Sequence, residues 1–209
     1  MKYIIVFISA FLFLPASANC QANTLFYNKA EIEILTENIY TVNEFRQIVD
    51  SLLLSVYEIT DYPVLFPVRS PRISSGYGKR KHPIYKVQRF HRGIDLSEIK
   101  GTPVYATGNG FVTRKGYDAG YGYFLEIQHS GGFRSFYAHL SKTMVNKGDT
   151  VKIGYQIACV GNSGRVTGSH LHYEIRKGKL FLNPLDWCLC LHGVLKAREL
   201  IDVQLNKTV

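Results

Sequence analysis

Tyr123-Phe124-Leu125-Glu126-Ile127-Gln128-His129, Ser130-Gly131-Gly132, Phe133-Arg134-Ser135-Phe136-Tyr137-Ala138-His139: this stretch decides the fold. Two runs rich in aromatic and aliphatic residues flank a short turn of serine and two glycines. That pattern predicts a β-hairpin. Further turns are marked outward from it by Gly108-Asn109-Gly110, Lys147-Gly148-Asp149 and Gly161-Asn162-Ser163-Gly164,. The run from His170 to Ile175 alternates polar and apolar residues and reads as another strand. Short strands at such regular spacing predict a mainly β domain, an antiparallel sheet of sandwich or barrel type. No internal repeat interrupts the pattern.

Upstream the periodicity changes. Thr41-Val42-Asn43-Glu44 has the capping-box form, a hydroxyl followed three residues later by a carboxylate,. Phe45, Ile48, Val49, Leu52, Leu53 and Val56 follow at helical spacing, so an amphipathic helix is expected over 42–57. Pro63 and Pro67 then end helical structure. The expected organisation is a leader over 1–18, an N-terminal extension over 19–69, a β-rich domain over 70–186 and a tail over 187–209.

The chain opens with Met1-Lys2, an apolar run from Tyr3 to Leu14 and Pro15-Ala16-Ser17-Ala18. A charged start, a short apolar core and a small-residue site describe a secretory signal peptide, with cleavage expected after Ala18. Cys20 offers lipid anchoring as a less favoured alternative, because Asn19 replaces the small residue expected before a lipidated cysteine. Export makes nucleic acid an unfavourable partner for a chain of net charge +9; anionic envelope polymers and lipid head groups suit that charge better. Of the four cysteines, Cys188 and Cys190 are too close to bridge each other without strain,. Cys159 lies in an apolar run and is expected to be a buried small hydrophobe.

Chemistry concentrates in the histidines. Of seven, four fall in three short pieces: His91-Arg92-Gly93-Ile94-Asp95, His139 at the end of the hairpin, and His170-Leu171-His172. Two imidazoles and one carboxylate would fill the three protein positions of a catalytic zinc, leaving two imidazoles for proton handling. On a strand, His170 and His172 project to one side and Leu171 to the other. His91 and Asp95 share a face if extended, with Gly93 allowing the backbone to bend. His82, His129 and His192 lack such neighbours and are read as ordinary histidines. No H-E-x-x-H occurs, which sets aside the helical zinc peptidases.

Residues 72–184 resemble the catalytic domain of the lysostaphin-type metallopeptidases, the LytM or M23 family of peptidoglycan endopeptidases. The resemblance runs through Arg72-Ile73-Ser74-Ser75-Gly76-Tyr77-Gly78, His82-Pro83, His91-Arg92-Gly93-Ile94-Asp95 and Gly101-Thr102-Pro103-Val104. It continues through Gly120-Tyr121-Gly122, Tyr137-Ala138-His139-Leu140, Gly161-Asn162-Ser163-Gly164, His170-Leu171-His172-Tyr173-Glu174 and Asn183-Pro184. It implies a duplicated-hybrid-motif β fold and a Zn2+ cofactor held by His91, Asp95 and His172. His139 and His170 are then the catalytic pair, and the substrate is a peptide cross-link of peptidoglycan. A non-catalytic LytM-like activator of another cell-wall hydrolase is the alternative, and the complete set of five residues speaks against it. Gly120, Gly122, Gly164 and Gly168 are expected to let an extended peptide approach, with Tyr121, Tyr123 and Tyr137 either lining the groove or packing. Residues 19–67 could shield the cleft.

Overall fold

The computed structural model describes residues 36–37, 39–51, 59–81 and 87–188. The expected signal peptide, Cys20, His82, Cys190, His192 and the tail beyond residue 188 lie outside the described residues. Among the described residues, twelve strands follow the helix α1 (Val42–Ser51). The first six are β1 (Ile73–Ser75), β2 (Gly78–Lys81), β3 (Gln88–His91), β4 (Ile94–Ser97), β5 (Pro103–Tyr105) and β6 (Gly110–Asp118). The others are β7 (Gly122–Gln128), β8 (Phe133–Thr143), β9 (Thr150–Val151), β10 (Gln156–Val160), β11 (His170–Lys177) and β12 (Leu180–Leu182).

The decisive hairpin is β7–β8. Its turn, Ser130–Gly132, places Gly131 at φ 59° and Gly132 at φ 73°, in the left-handed region that a side chain disfavours,. The main sheet is antiparallel in the order β1-β4-β11-β8-β7-β6-β9, with β10 beside β8 and β5, and β12 beside β11. β2 and β3 form a separate two-stranded ribbon. The expected mainly β antiparallel architecture is therefore what the chain adopts.

Alternation assigns the two faces of the sheet. Leu125 and Ile127 of β7, Tyr137 of β8, and Leu171, Tyr173 and Ile175 of β11 are fully buried in the main core, with Ile94 and Leu96 of β4. On the opposite face Phe124, Phe136 and Ala138 form a smaller cluster with Tyr121 packed on it. Tyr137 is thus a core residue whose hydroxyl meets Thr107 at 3.0 Å. Tyr123 is exposed and stacks edge-on with Tyr117, so Tyr121 is the tyrosine of the three that borders the cleft.

The capping box of α1 forms as read: the Glu44 amide donates to Thr41 Oγ1, and Glu44 Oε2 accepts from the Thr41 and Tyr40 amides at 3.0 and 3.1 Å. The Tyr40 amide first, and then Thr41, hold the Glu44 carboxyl below its usual range against the opposing effect of burial. Phe45 and Val49 are fully buried; Leu52, Leu53 and Val56 lie outside the described residues. Phe45 meets Tyr62 at 4.5 Å, Trp187 at 5.5 Å and Phe133 at 6.1 Å between ring centroids. Ile39, Phe45, Val49, Ile59, Tyr62, Val64 and Val68 belong to the same apolar core as the sheet.

This packing lies at the far end of β11. Lys177 is buried, donates to the Thr36 carbonyl and rests over the Phe133 ring at 4.3 Å. Burial lowers its ammonium pKa to about 8, with Glu37 and Glu44 opposing. From Lys177 to His172 the strand runs about 16 Å at its usual rise. The described residues of the extension therefore seat on the opposite end of the sheet from the histidines and do not line their cleft.

Candidate metal centre

β4, β11 and β8 lie side by side, and their register builds the site. His172 is opposite Asp95 on β4 and opposite Ala138 on β8. His91 comes from the neighbouring ribbon, at the end of β3, and the chain turns a corner through Arg92-Gly93 before entering β4. Gly93 is needed there for a different reason from the expected bend. A Cβ at this position would lie 2.2 Å from the Tyr173 carbonyl oxygen, so only glycine lets the corner pack on β11.

Three donor atoms converge. His91 Nε2 lies 3.1 Å from His172 Nδ1 and 3.2 Å from Asp95 Oδ1, and His172 Nδ1 lies 2.8 Å from Asp95 Oδ1. Zinc bonds of about 2.0–2.1 Å at tetrahedral angles separate ligand atoms by about 3.3–3.4 Å. The donor set and its spacing fit a zinc-sized cation, and all three residues are buried.

Each of the three residues is oriented by a second partner. The Nδ1–H of His91 donates to the Gly76 carbonyl at 2.7 Å, which leaves Nε2 as its lone-pair atom. Arg80 Nη2 donates to Asp95 Oδ2 at 3.1 Å, leaving Oδ1 for the cluster. His172 Nε2 donates to Glu174 Oε1 at 2.8 Å, the carboxylate–histidine arrangement common behind metal ligands,. Glu174 is in turn held by Tyr121 Oη at 3.1 Å and by Arg176 Nε and Nη2, both 2.6 Å from Oε2. Arg176 continues to the buried Glu126 at 2.9 Å and lies 3.9 Å over the Phe136 ring.

The electrostatics follow from this wiring. Burial would raise the Asp95 carboxyl, but its close contacts with the imidazoles of His172 and His91 hold it well below the usual range. Glu174 is likewise held at about 2 by His172 and Arg176 against burial. Burial would lower His172, yet Asp95 at one nitrogen and Glu174 at the other raise it to about 9. A cation held among Asp95, His91 and His172 would take the place of the proton on Nδ1.

His139 and His170 sit beside this cluster with ring centroids 4.7 Å apart. Both are pinned by backbone carbonyls: His139 Nδ1 by Ser163 and His170 Nδ1 by Gly168, each at 2.9 Å. His170 Nε2 reaches to 3.8 Å from Asp95 Oδ1. Burial lowers His139 to about 4, only partly offset by the Ser163 carbonyl.

The placement of His139 was not visible in the alternation. Period two would send it to the core side with Tyr137. Instead, Tyr123 pairs with Leu140 while Leu125 pairs with Tyr137, so β8 carries an extra residue, a bulge. His139 takes φ 60°, the only positive φ at a non-glycine among the described residues, and its side chain turns into the cleft,. The Tyr121 carbonyl receives its amide at 2.8 Å. Ser163 locks the opposite side: its Oγ donates to the Leu140 carbonyl and accepts the Tyr123 amide.

This interlock also explains two of the four glycines. A Cβ on Gly164 would lie 2.3 Å from the Gly122 nitrogen, and one on Gly122 would lie 2.3 Å from Ser163 Oγ. They serve loop-to-loop contact rather than peptide approach. Gly168 has open space around it, and the Gly120 amide is taken by Asp118 at 2.7 Å. The residues that sequence reading left without a role are Arg80, Ser163, Glu174, Arg176 and Glu126. For two a signal existed: His170, His172, Glu174 and Arg176 share one face of β11 by simple alternation.

His129 is a core residue, its Nδ1 donating to the Asn109 carbonyl and its Nε2 accepting from Ser135 Oγ, both at 2.7 Å. Cys159 is only half-buried, a departure from the expectation. Cys188 is buried, its thiol donating to the Leu65 carbonyl, and burial pushes its pKa up.

An antiparallel sheet thus carries a His-Asp-His donor set that could hold a metal ion, beside two further imidazoles in one cleft. Residues 89–184 match peptidase family M23, and the chain belongs to that family. It is 44% identical over 123 residues to the DD-carboxypeptidase/endopeptidase Mpg of Neisseria meningitidis, covering 59% of this chain and 28% of that protein. A zinc-containing peptidase from Vibrio cholerae has 37% identity and a TM-score of 0.55 over 57% of this chain and 38% of that one. A catalytic-domain variant of the prophage-encoded M23 protein EnpA from Enterococcus faecalis has 33% identity and a TM-score of 0.52, over 58% and 94% respectively. The chain spans between 25% and 43% of the length of the curated relatives it matches.

Proposed function

We propose that the protein is an exported, zinc-dependent endopeptidase that hydrolyses peptide cross-links of bacterial peptidoglycan. His91, Asp95 and His172 hold the metal, and His139 and His170 handle protons. One observation carries this reading: three donor atoms within 3.2 Å of one another stand beside two imidazoles that share the cleft but are anchored on backbone carbonyls. The similarity to proteins described as peptidases and endopeptidases supports it.

When bound, zinc acts as a Lewis acid on the scissile carbonyl and lowers the pKa of a water towards neutrality. The protein's own groups do the rest. With Nδ1–H committed to Ser163, His139 presents Nε2 with its lone pair; with Nδ1–H committed to Gly168, His170 does the same. One imidazole takes the proton of the attacking water and returns it to the leaving amine. Its neighbour, once protonated to the imidazolium, has an Nε2–H free to donate to the oxygen on which negative charge develops. The cleft, about 720 Å³, is open enough for an extended peptide,.

The proposed setting is the cell envelope, where a basic surface favours anionic polymers. Among the described residues no helix is long and apolar enough to cross a membrane. The test is digestion of purified peptidoglycan by the zinc-loaded protein, with products identified by mass. Cross-linked fragments should fall to monomers, a chelator should stop this and added zinc should restore it. Absence of turnover by the zinc-loaded protein, together with stimulation of a separate cell-wall hydrolase, would replace this reading with the activator role.

A further inference from the structure

Glu126 is a buried carboxylate on β7. It stands opposite Phe136 of β8, which stands opposite Glu174 of β11, so the three share one row and one face of the sheet,. Arg176, two residues beyond Glu174, spans that row with its guanidinium 3.9 Å over the Phe136 ring. Its Nε and Nη2 meet Glu174 Oε2 at 2.6 Å, and its Nη1 donates to Glu126 Oε2 at 2.9 Å. Charged groups therefore alternate in sign outward from His172, through Glu174 and Arg176 to Glu126.

The register gives the last of these a task. Arg176 is directly opposite Arg134 on β8, and like charges in that position repel. Glu126 offers an oxygen to each, Oε2 to Arg176 and Oε1 to Arg134 at 3.7 Å, with Arg114 a further 3.9 Å contact on Oε2. Without the Glu126 charge, Arg134 faces Arg176 unopposed and Arg176 keeps a single carboxylate. Arg176 then either draws harder on Glu174, which weakens what that carboxylate gives to His172, or leaves the ring and withdraws its support. Stability alone does not call for such wiring, because a buried ion-pair network is often replaceable by apolar residues without loss.

We infer that Glu126 is a positioning residue of the metal centre, acting through Arg176 and Glu174 to keep the proton of His172 on Nε2 and the lone pair of Nδ1 turned to the cation. It touches none of the three donors; its carboxylate contacts are with Thr113, Arg114, Arg134 and Arg176. This inference rests on the metal-dependent reading above.

The test is competition for zinc against a chromophoric chelator, using the full chain, with unfolding in excess chelator as a check on the fold. A direct partner of a ligand is worth about 10–100-fold in metal affinity, so Glu126→Gln, one step further out, should lose roughly threefold to tenfold. In an Arg176→Met background the same substitution should cost less than about twofold, because the path to His172 is already cut. Glu126→Asp, which keeps the charge and only shortens its reach, is the second variant; it should lose less than Glu126→Gln in the parent and equally little behind Arg176→Met. Undiminished zinc affinity in both variants, or losses that add in full to that of Arg176→Met, overturns the assignment. A parent chain that binds no zinc fails the metal reading instead. Solvent exchange of the Arg176 Nε–H, followed by NMR on metal-free protein, then decides the contact separately: it should quicken at least tenfold or so in Glu126→Gln as the guanidinium loses its second anchor, and an unchanged rate refutes the role of Glu126.

Discussion

Replacing Glu174 by Gln tests the reasoning about the metal centre most sharply, because the substitution preserves shape and removes only charge and one acceptor. Glu174 uses both oxygens: Oε1 accepts from His172 Nε2 at 2.8 Å, and Oε2 accepts two N–H groups of Arg176 at 2.6 Å. A carboxamide cannot do both. With its oxygen towards His172, its NH2 faces the guanidinium, donor against donor. With its oxygen towards Arg176, its NH2 faces Nε2 and favours the tautomer that carries the proton on Nδ1, the atom meant for the metal. Either arrangement weakens His172 as a ligand. Loss of such a partner costs about 10–100-fold in metal affinity, or about 1.4–2.7 kcal/mol. The assay is competition for zinc against a chromophoric chelator, with unfolding of both proteins measured in excess chelator to isolate damage to the fold. Tyr121→Phe, which removes only the 3.1 Å contact to Oε1, should lose less. Undiminished zinc affinity in Glu174→Gln would show that the wiring behind His172 does not serve the metal.

Among the site residues, His91→Ala, Asp95→Ala and His172→Ala should lose zinc, whereas His139→Ala and His170→Ala should keep it and lose hydrolysis; metal analysis of the purified variants checks both halves, and zinc loss from His139→Ala would place that residue among the ligands. Burial lowers His129 to about 4, with its bond to the Asn109 carbonyl partly opposing. The neutral folded form therefore resists protonation while the unfolded chain takes a proton near pH 6.5, so this contribution is complete above that pH and is lost on the way down to about 4. Between pH 7 and 5 it amounts to about 2 kcal/mol, and denaturant melts should show a shallower decline in His129→Gln. Phe45→Ala, which empties the ring cluster of Tyr62, Phe133 and Trp187, should cost about 3–5 kcal/mol. Denaturant unfolding followed by Trp187 fluorescence reads this, and a loss below 1 kcal/mol would show that α1 contributes little to the core.

Much of this molecule was legible in local pattern. The two runs around Ser130-Gly131-Gly132 announced β7 and β8, and the capping box at Thr41 announced α1, because turn chemistry and end-capping act over three or four residues. The donor types of the candidate metal centre were equally plain, since imidazole and carboxylate are groups that a catalytic zinc takes. Alternation put His172, Glu174 and Arg176 on one face, though only the contacts in the folded chain gave the last two a purpose.

What the sequence by itself determined, then, is the residue inventory and the strand faces, both consequences of short-range stereochemistry. The tertiary structure alone decided three things. It brought His91 from the ribbon to Asp95 through a corner that needs Gly93 because β11 passes beneath it. It placed the described part of the extension behind Lys177, at the far end of β11. And it turned His139 against its own alternation by a bulge and a left-handed backbone held between Tyr121 and Ser163. Each depends on chain segments dozens of residues apart meeting in space, and no local period encodes such a meeting.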